Sequence, residues 1–325
     1  MRLSLMAAPC RACIRSAHRL CLAILLFPAI ALADSSAIII QGIGGSDEYD
    51  MKFSKWATGT QNALVQDLGF AKDHVVLLAG DGAKKESIQK AFDQMKQQVK
   101  PQDTFLLFLI GSGSYDTDYK LSIPGPDLTG TEYGKLIDSL NPARSVVVSG
   151  SDSSGALFDK ISAKNRVIVA SSRATEKEPA VFYEYFLQGL KGLAADEDKD
   201  KKVSIWEAFK YATAAVDRFF KEQTRIQTEH AGLGANGAAQ VAANVSDQEA
   251  PVLARVTSFN ADRPVIVSDP KLQTLLTEKK AIEQKVEDLR LQKNLLPEAE
   301  YDKRLEDLIL ELSRKNQQIQ EQEKK

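Results

Sequence analysis

The chain has 325 residues and is nearly neutral, which excludes several classes of function at the outset. Its formal net charge is −2, with 26% charged and 43% hydrophobic residues, the balance of a soluble globular protein. No basic excess is available for nucleic acid or for an anionic membrane surface, so neither is an expected partner. The length allows one large α/β domain and a smaller appendage.

Residues 1–33 are predicted to be a secretory signal peptide. Four arginines precede an apolar run over residues 20–33, which ends in a small-x-small cleavage site, Ala31-Leu32-Ala33. The run is shorter than the roughly 20 apolar residues of a membrane span, so no span is expected after cleavage. We therefore expect a secreted protein, with the periplasm as its destination.

All three cysteines, Cys10, Cys13 and Cys21, lie within this segment. The mature chain would contain none, although its expected compartment is oxidising. Disulfides, a cysteine nucleophile and thiolate metal sites are therefore excluded from the mature protein.

Apolar runs and amphipathic stretches alternate along residues 34–265, the predicted main domain. The predicted strands are residues 37–43, 74–79, 104–110, 119–123, 145–148 and 166–170. The predicted helices are residues 51–68, 84–99, 129–140, a helix beginning near Asp152 or Ser153, then 180–190 and 204–220. Strands separated by helices of this length favour a parallel sheet with helices on both faces.

The end of the chain changes in composition. Residues 234–250 are rich in Ala, Gly, Asn and Gln and are predicted to form a flexible loop, followed by a last strand over residues 251–259. Within residues 266–325, Leu275, Ile282, Leu289 and Leu296 recur every seven residues, and Pro297 opens a second helix. This pattern predicts a helical hairpin or coiled coil. It is compatible with a homo-oligomer and equally with a hairpin packed on its own domain.

Two predicted strands end in small-residue turns, where an open α/β sheet builds its site. Residues 111–114 are Gly-Ser-Gly-Ser, and residues 149–155 are Ser-Gly-Ser-Asp-Ser-Ser-Gly. The pair resembles the caspase-like cysteine peptidases, in particular bacterial relatives of legumain, whose strands end in Gly-His-Gly-Ser and in Cys-x-Ser-Gly. Residues 42–45, 123–129 and 228–230 also look like motifs of this group.

By position, the family's general-base His falls on Ser112 and its nucleophilic Cys on Asp152. Thiol proteolysis needs a polarisable nucleophile and a base within hydrogen-bond reach, and these two residues supply neither. The resemblance therefore implies a caspase-like fold, a mainly parallel sheet flanked by helices, without the usual activity. In the plainer interpretation, Ser112 is a turn residue and Asp152 caps the following helix.

Three hypotheses of function follow from these residues. The leading one is a secreted pseudo-peptidase that binds a protein or peptide through the strand-end cleft, with Arg173 as a candidate carboxylate contact, or assembles through the hairpin. The second is an active hydrolase that uses Ser114, Ser151 or Ser153, although no histidine is expected at this edge to serve as its base. The third is a structural protein that acts mainly through its C-terminal helices.

Residues 196–207 match the spacing of an EF-hand calcium loop. The predicted oxygen ligands, including one backbone carbonyl, come from Asp196, Asp198, Asp200, Lys202, Ser204 and Glu207. Lys201 replaces the glycine of the sharp turn, and a positive φ there costs about 1–2 kcal/mol. The loop is therefore predicted to bind Ca²⁺ weakly or merely to cap the next helix. Ca²⁺ is the one cofactor that the sequence suggests.

Overall fold

The computed structural model describes residues 34–237, 245–247, 249–261, 267 and 269–323. The predicted signal peptide lies outside these residues, as do residues 238–244 of the predicted flexible loop. Among the described residues, no helix is both long and apolar enough to cross a membrane.

The described residues form a central sheet and a small accessory sheet. The strands are β1 (Ser35–Gln41), β2 (Val75–Leu78), β3 (Thr104–Ile110), β4 (Gly113–Tyr115), β5 (Tyr119–Leu121), β6 (Leu128–Thr129), β7 (Arg144–Ser149), β8 (Arg166–Ala170) and β9 (Gly232–Ala235). The central sheet has the order β2-β1-β3-β7-β8-β9, and the accessory sheet the order β4-β5-β6. In the central sheet β9 is antiparallel to β8 and the other pairs are parallel.

Helices cover both faces of the central sheet, and a pair of C-terminal helices follows them in the chain. They are α1 (Asp47–Asn62), α2 (Lys85–Gln98), α3 (Gly130–Asp138), α4 (Leu157–Ile161), α5 (Phe182–Leu190), α6 (Ile205–Glu222), α7 (Val252–Val256), α8 (Pro270–Leu291) and α9 (Glu298–Glu323). Along β3, Leu106 and Phe108 pack with α1, α5 and α6 on one face. Leu107 and Leu109 pack with α2, α3 and α4 on the other, as the two-residue period of a strand requires.

This architecture confirms the predicted fold class. A mainly parallel sheet is flanked by helices on both faces and is followed by two C-terminal helices. All seven residues of β3 are buried, because a strand in the middle of a two-sided sheet has no solvent face. The observed β3 and β8 have the predicted bounds, since continuous apolar runs between polar turns leave little freedom at either end.

The C-terminal helices form an intramolecular hairpin. Leu275, Ile282 and Leu289 are the buried positions of α8, which confirms the predicted seven-residue pattern up to Leu289. Leu296 lies after α8 has ended and is only partly buried, so the pattern does not extend to it. Asp269 caps α8 through the Lys271 N–H at 2.8 Å. At the other end of the chain, the Gln322 amide donates to the same Asp269 carboxylate at 2.7 Å, so the two helices close on each other.

One ion pair joins the hairpin to the central sheet. The guanidinium of Arg144, at the start of β7, lies 3.1 Å from a Glu287 carboxylate oxygen on α8. Both side chains are largely shielded from solvent, with 14% and 25% of their surface exposed. The hairpin therefore has a defined contact with its own domain.

Three predicted elements are wrong. Residues 251–259 contain helix α7 rather than a last strand, because Leu253 and Ala254 pack into the core on one helical face. The sheet is closed instead by β9, which overlaps the predicted flexible loop; its Gly-Leu-Gly-Ala sequence has little strand propensity and depends on pairing with β8. The helix after β7 begins at Leu157, after a 3-10 turn over Ser154–Ala156, rather than near Asp152.

Candidate functional site

The loops that follow β3 and β7 touch at the carboxyl edge of the sheet. A Cβ atom on Gly113 would lie 2.2 Å from the backbone oxygen of Asp152 and 2.9 Å from Oγ of Ser151, so only glycine fits there. The Ser112 N–H donates to the Ile43 carbonyl at 3.2 Å, which adds the loop after β1 to the same edge. The structure thus places the two resembling motifs side by side.

The carboxylate of Asp152 is half-buried at this edge. Its pKa is raised to about 6, mainly by burial and to a smaller extent by the nearby charge of Glu178. The backbone N–H groups of Gly113 and Ala180 and the charge of Lys52 oppose that shift by stabilising the carboxylate. The prediction that Asp152 caps the following helix is wrong, because its carboxylate accepts the N–H groups of Gly113 and Ala180 and α4 has no side-chain cap.

Ser151 lies within a buried network of hydroxyl groups. Its Oγ is 2.6 Å from the Tyr119 hydroxyl and 2.8 Å from Oγ of Ser149, and its side chain is fully buried. Burial raises the pKa of Tyr119 to about 12, so this phenol stays neutral and cannot act as a base near pH 7. The Ser171 hydroxyl donates to the Ser151 carbonyl at 2.8 Å, tying the loop after β8 to the loop after β7.

The other predicted serines have different surroundings. Ser153 is buried in a left-handed conformation at φ 54°, and its N–H donates to the Glu176 carbonyl at 2.8 Å. Ser114 is exposed on β4. Arg173 is 64% exposed, and its guanidinium lies 3.9 Å from the Glu176 carboxylate. The structure therefore brings Ser151 and Asp152 together with the Gly113 loop and leaves Ser114 and Arg173 facing solvent.

A histidine does reach this edge, contrary to the sequence prediction. His230 Nδ1 lies 2.6 Å from Oε1 of Glu176, in the loop after β8. The second oxygen of Glu176 accepts the N–H groups of His230 and Arg173, each at 2.8 Å. Sequence reasoning missed this pair because residue 230 lies after α6, far along the chain from Glu176. The antiparallel pairing of β9 with β8, in which Gly232 lies opposite Ala170, brings His230 back to the carboxyl edge.

Glu229 is a second carboxylate that sequence reasoning missed. It is 3% exposed, accepts the Val181 N–H at 2.6 Å, and has one oxygen, Oε1, without a hydrogen-bond partner among the described residues. Burial raises its pKa to about 7, and the charge of Lys52 opposes the shift. Asp152 and Glu229 thus flank the residues that lead into α5, both under the influence of Lys52.

The predicted calcium loop adopts EF-hand-like geometry. Lys201 has a φ of 68°, the left-handed conformation that glycine normally supplies, and its N–H donates to Asp196 Oδ2 at 3.0 Å. Oxygens of Asp196, Asp198 and Glu207 lie within 4.8 Å of one another. Burial raises the pKa of Asp200, and the neighbouring carboxylates add to this effect.

The remaining predicted ligands of this loop mainly hold its structure. Ser204 and Glu207 form a capping box at the start of α6, with the Ser204 hydroxyl 2.7 Å from Oε2 of Glu207. The Lys202 N–H donates to Asp200 at 2.7 Å. Oδ1 of Asp196 is buried and has no hydrogen-bond partner among the described residues, which leaves one oxygen of the group open to a cation.

Comparisons with known proteins give similarity of fold only. No protein family and no curated protein matches the sequence. Among solved structures, the chain is similar to a protein from Geobacter sulfurreducens, with 14% identity, TM-score 0.41, and coverage of 56% of this chain and 88% of that one. It is also similar to the Drosophila initiator caspase Dronc, with 10% identity, TM-score 0.42 and coverage of 65% and 83%. Caspase-1 from Spodoptera frugiperda has 11% identity, TM-score 0.42 and coverage of 67% and 92%.

We predict that Glu229 makes the stability of the protein fall as the pH rises. Its folded-state pKa of about 7 lies above the ordinary 4.5, so the folded state binds more protons in this window and stability is lost as the pH passes through it. The shift corresponds to roughly 3 kcal/mol. The free energy of unfolding, measured by urea titration, should be equal for Glu229→Gln and the wild type near pH 4.5. At pH 8 it should be higher for Glu229→Gln. Glu222→Gln, at an exposed site, is the control, and a pH-independent difference for Glu229→Gln would contradict the prediction.

Proposed function

We propose that this protein is a secreted, catalytically inactive relative of the legumain-type caspase-like peptidases, which binds a peptide without cleaving it. The proposal rests mainly on the Asp152 carboxylate. Asp152 occupies the position that the resemblance assigns to the nucleophile, and its carboxylate accepts the Gly113 N–H. A carboxylate at the nucleophile position repels the negative charge that develops on the oxygen of an attacked amide. In an active peptidase, backbone N–H donors would point at that oxygen instead. The periplasm is the proposed compartment.

The burial of the neighbouring serines supports the absence of catalysis. A hydroxyl nucleophile must reach the scissile carbonyl and lose its proton to a base. Ser151 and Ser153 are fully buried. The phenol hydrogen-bonded to Ser151, Tyr119, has a pKa of about 12 and takes no proton near neutral pH.

The surface beside Ser112 supports peptide binding. Ile43, whose carbonyl accepts the Ser112 N–H, is 42% exposed, and Met51, near the start of α1, is 69% exposed. Under this proposal, these exposed apolar side chains would contact the side chains of a bound peptide. Arg173 lies on the adjacent loop and could fork onto a peptide carboxylate.

A second candidate is an active hydrolase that draws on the His230–Glu176 pair. A carboxylate 2.6 Å from an imidazole nitrogen orients and strengthens a general base. Ser114 is the exposed hydroxyl among the predicted serines. This pair makes the hydrolase worth testing beside the inactive protein.

We expect the mature protein to leave a diverse peptide mixture uncut, with or without calcium, as read by mass spectrometry. The control carries Ala at Ser112, Ser151, Asp152 and Ser153, and a His230→Gln variant tests the second candidate. Cleavage by the wild type that either variant abolishes would overturn the inactive assignment.

Peptide retention on the immobilised wild type tests the binding half of the proposal. We expect Ile43→Asp to reduce retention, with exposed Ile226→Asp as the matched control. Equal retention by all three proteins would contradict binding at this surface.

We also propose that residues 196–207 bind Ca²⁺ at about millimolar concentration, as loops of weak rigidity do. Asp196, Asp198, Asp200, Ser204 and Glu207 would supply side-chain oxygens, and Lys202 its carbonyl. The buried, unpartnered Oδ1 of Asp196 supports this, because a cation would satisfy it. The same cation would stabilise the charged form of Asp200, whose pKa is raised by burial.

Terbium luminescence checks the calcium site, because Trp206 adjoins Glu207 and can sensitise a bound lanthanide. We expect Tb³⁺ emission on excitation of tryptophan, displaced by millimolar Ca²⁺. Glu207→Gln should weaken binding by about tenfold or more, since a neutral amide replaces one carboxylate while the cap can persist. Glu249→Gln is the exposed control, and unchanged emission in Glu207→Gln would contradict the site.

A further inference from the structure

A cavity lies where three separate parts of the fold meet. Its volume is about 610 Å³, and its lining comes from the first turns of α6, from α7 and from the turn between α8 and α9. This volume lies in the range of small-molecule sites, which often occur where separate structural units meet. The cavity is distinct from the carboxyl edge of the sheet that carries the proposed function.

Aromatic and aliphatic side chains form part of the cavity wall. Trp206, from α6, is 3% exposed and Tyr301, from α9, is 7% exposed, so packing holds both rings in place and only a small part of each borders the cavity. Val252 and Val256 of α7 add aliphatic surface. These groups suit the apolar body of a ligand with more than a few carbon atoms.

The acidic side chains in the wall already have donors within the protein. Asp247 accepts the Trp206 indole N–H at 2.6 Å and lies 3.0 Å from Lys210 Nζ. Glu197 lies 2.6 Å from the same ammonium group, and Glu207 accepts hydrogen bonds in the α6 capping box. The acidic side of the cavity is therefore largely compensated.

Three further cationic side chains line the cavity, are exposed to solvent, and are not compensated in this way. Arg255 of α7 and Arg290 and Lys293 of the hairpin line the cavity. Within the described part of the chain, no carboxylate oxygen lies within 4.0 Å of their charged nitrogens, although Arg255 is close enough to help lower the pKa of Asp247. Lys293 instead lies over the Tyr301 ring, 5.8 Å from its centroid.

We propose that this cavity binds a small organic carboxylate, with the carboxylate facing Arg255, Arg290 and Lys293 and the apolar body against Trp206 and Tyr301. Guanidinium groups recognise carboxylates by paired hydrogen bonds, and Arg255 and Arg290 line this cavity from different elements. A single negative charge fits better than a doubly charged phosphate, because Glu197, Asp198 and Asp247 also line the cavity. The hairpin is then part of a binding site, since it supplies Arg290, Lys293 and Tyr301.

Calorimetric titration of the full mature chain tests the proposal with three probes of one ring system, 2-naphthoate, 2-naphthamide and 2-naphthyl phosphate. We expect naphthoate to bind about tenfold or more tightly than the neutral amide, as a charge-assisted hydrogen bond predicts. Phosphate should bind no better than carboxylate. Binding should also change Trp206 fluorescence, and Trp206→Phe, which leaves Trp56, should remove that change.

Arg255→Gln and Arg290→Gln should each lower the affinity for 2-naphthoate by about tenfold. Neither should change the affinity for 2-naphthamide. Arg314→Gln, at an exposed position of α9 outside the cavity, is the matched control. Equal affinity for acid and amide, no binding of naphthoate, tighter binding of the phosphate, or loss in Arg314→Gln equal to that in Arg290→Gln would each overturn the proposal. None of these outcomes depends on whether the carboxyl edge cleaves peptides.

Discussion

The close approach of Gly113 to the backbone of Asp152 is the constraint on which the chemistry of this protein depends. A Cβ added to Gly113 would lie 2.2 Å from the Asp152 oxygen, so the loops after β3 and β7 are packed too closely to admit a side chain between them while both strands hold their register. Hydrogen bonds of the Ser151 hydroxyl with Tyr119 and Ser149 also hold the loop after β7 in place. A preorganised edge of this kind suits recognition, because little conformational entropy is lost when a ligand is bound.

The charges at this edge follow from the same packing. Asp152 and Glu229 are shielded by neighbouring loops, and burial raises the pKa of each to about 6 and about 7. Backbone N–H groups and Lys52 limit the cost of the charged forms without removing it. Raised carboxyl pKa values are common at functional sites, and under the proposed function the Asp152 carboxylate would oppose amide attack rather than promote it.

The sequence predicts those parts of this fold that depend on local pattern. Continuous apolar runs defined β3 and β8, and a seven-residue repeat defined the buried side of α8, because each signal arises within one element. The small-residue turns after β3 and β7 lie side by side in the structure, and the site that the sequence predicts there stays a prediction. β9 was missed because its Gly-Leu-Gly-Ala strand exists through pairing with β8, and α7 because a short apolar run fits a strand or a helix equally.

The same distinction between local and long-range signals explains which parts of the site were missed. His230 reaches Glu176 across 54 positions of sequence, and Glu229 meets Val181 across 48. Neither contact leaves a trace in the spacing of residues. The predicted calcium loop could be proposed from sequence because its carboxylates are close along the chain, whereas the basic residues of the cavity come from α7 and the hairpin and meet only in the folded chain.

The first turn of α6 connects the calcium-type loop to this cavity. Glu207 is a cap of α6, a member of the oxygen group with Asp196 and Asp198, and part of the cavity wall. A cation at this carboxylate would reduce the negative potential that an organic anion meets in the cavity. By thermodynamic linkage, the anion would then raise the affinity for the cation by the same factor. Such coupling needs no movement of the sheet, because both ligands would act on the charge of one carboxylate at the start of one helix.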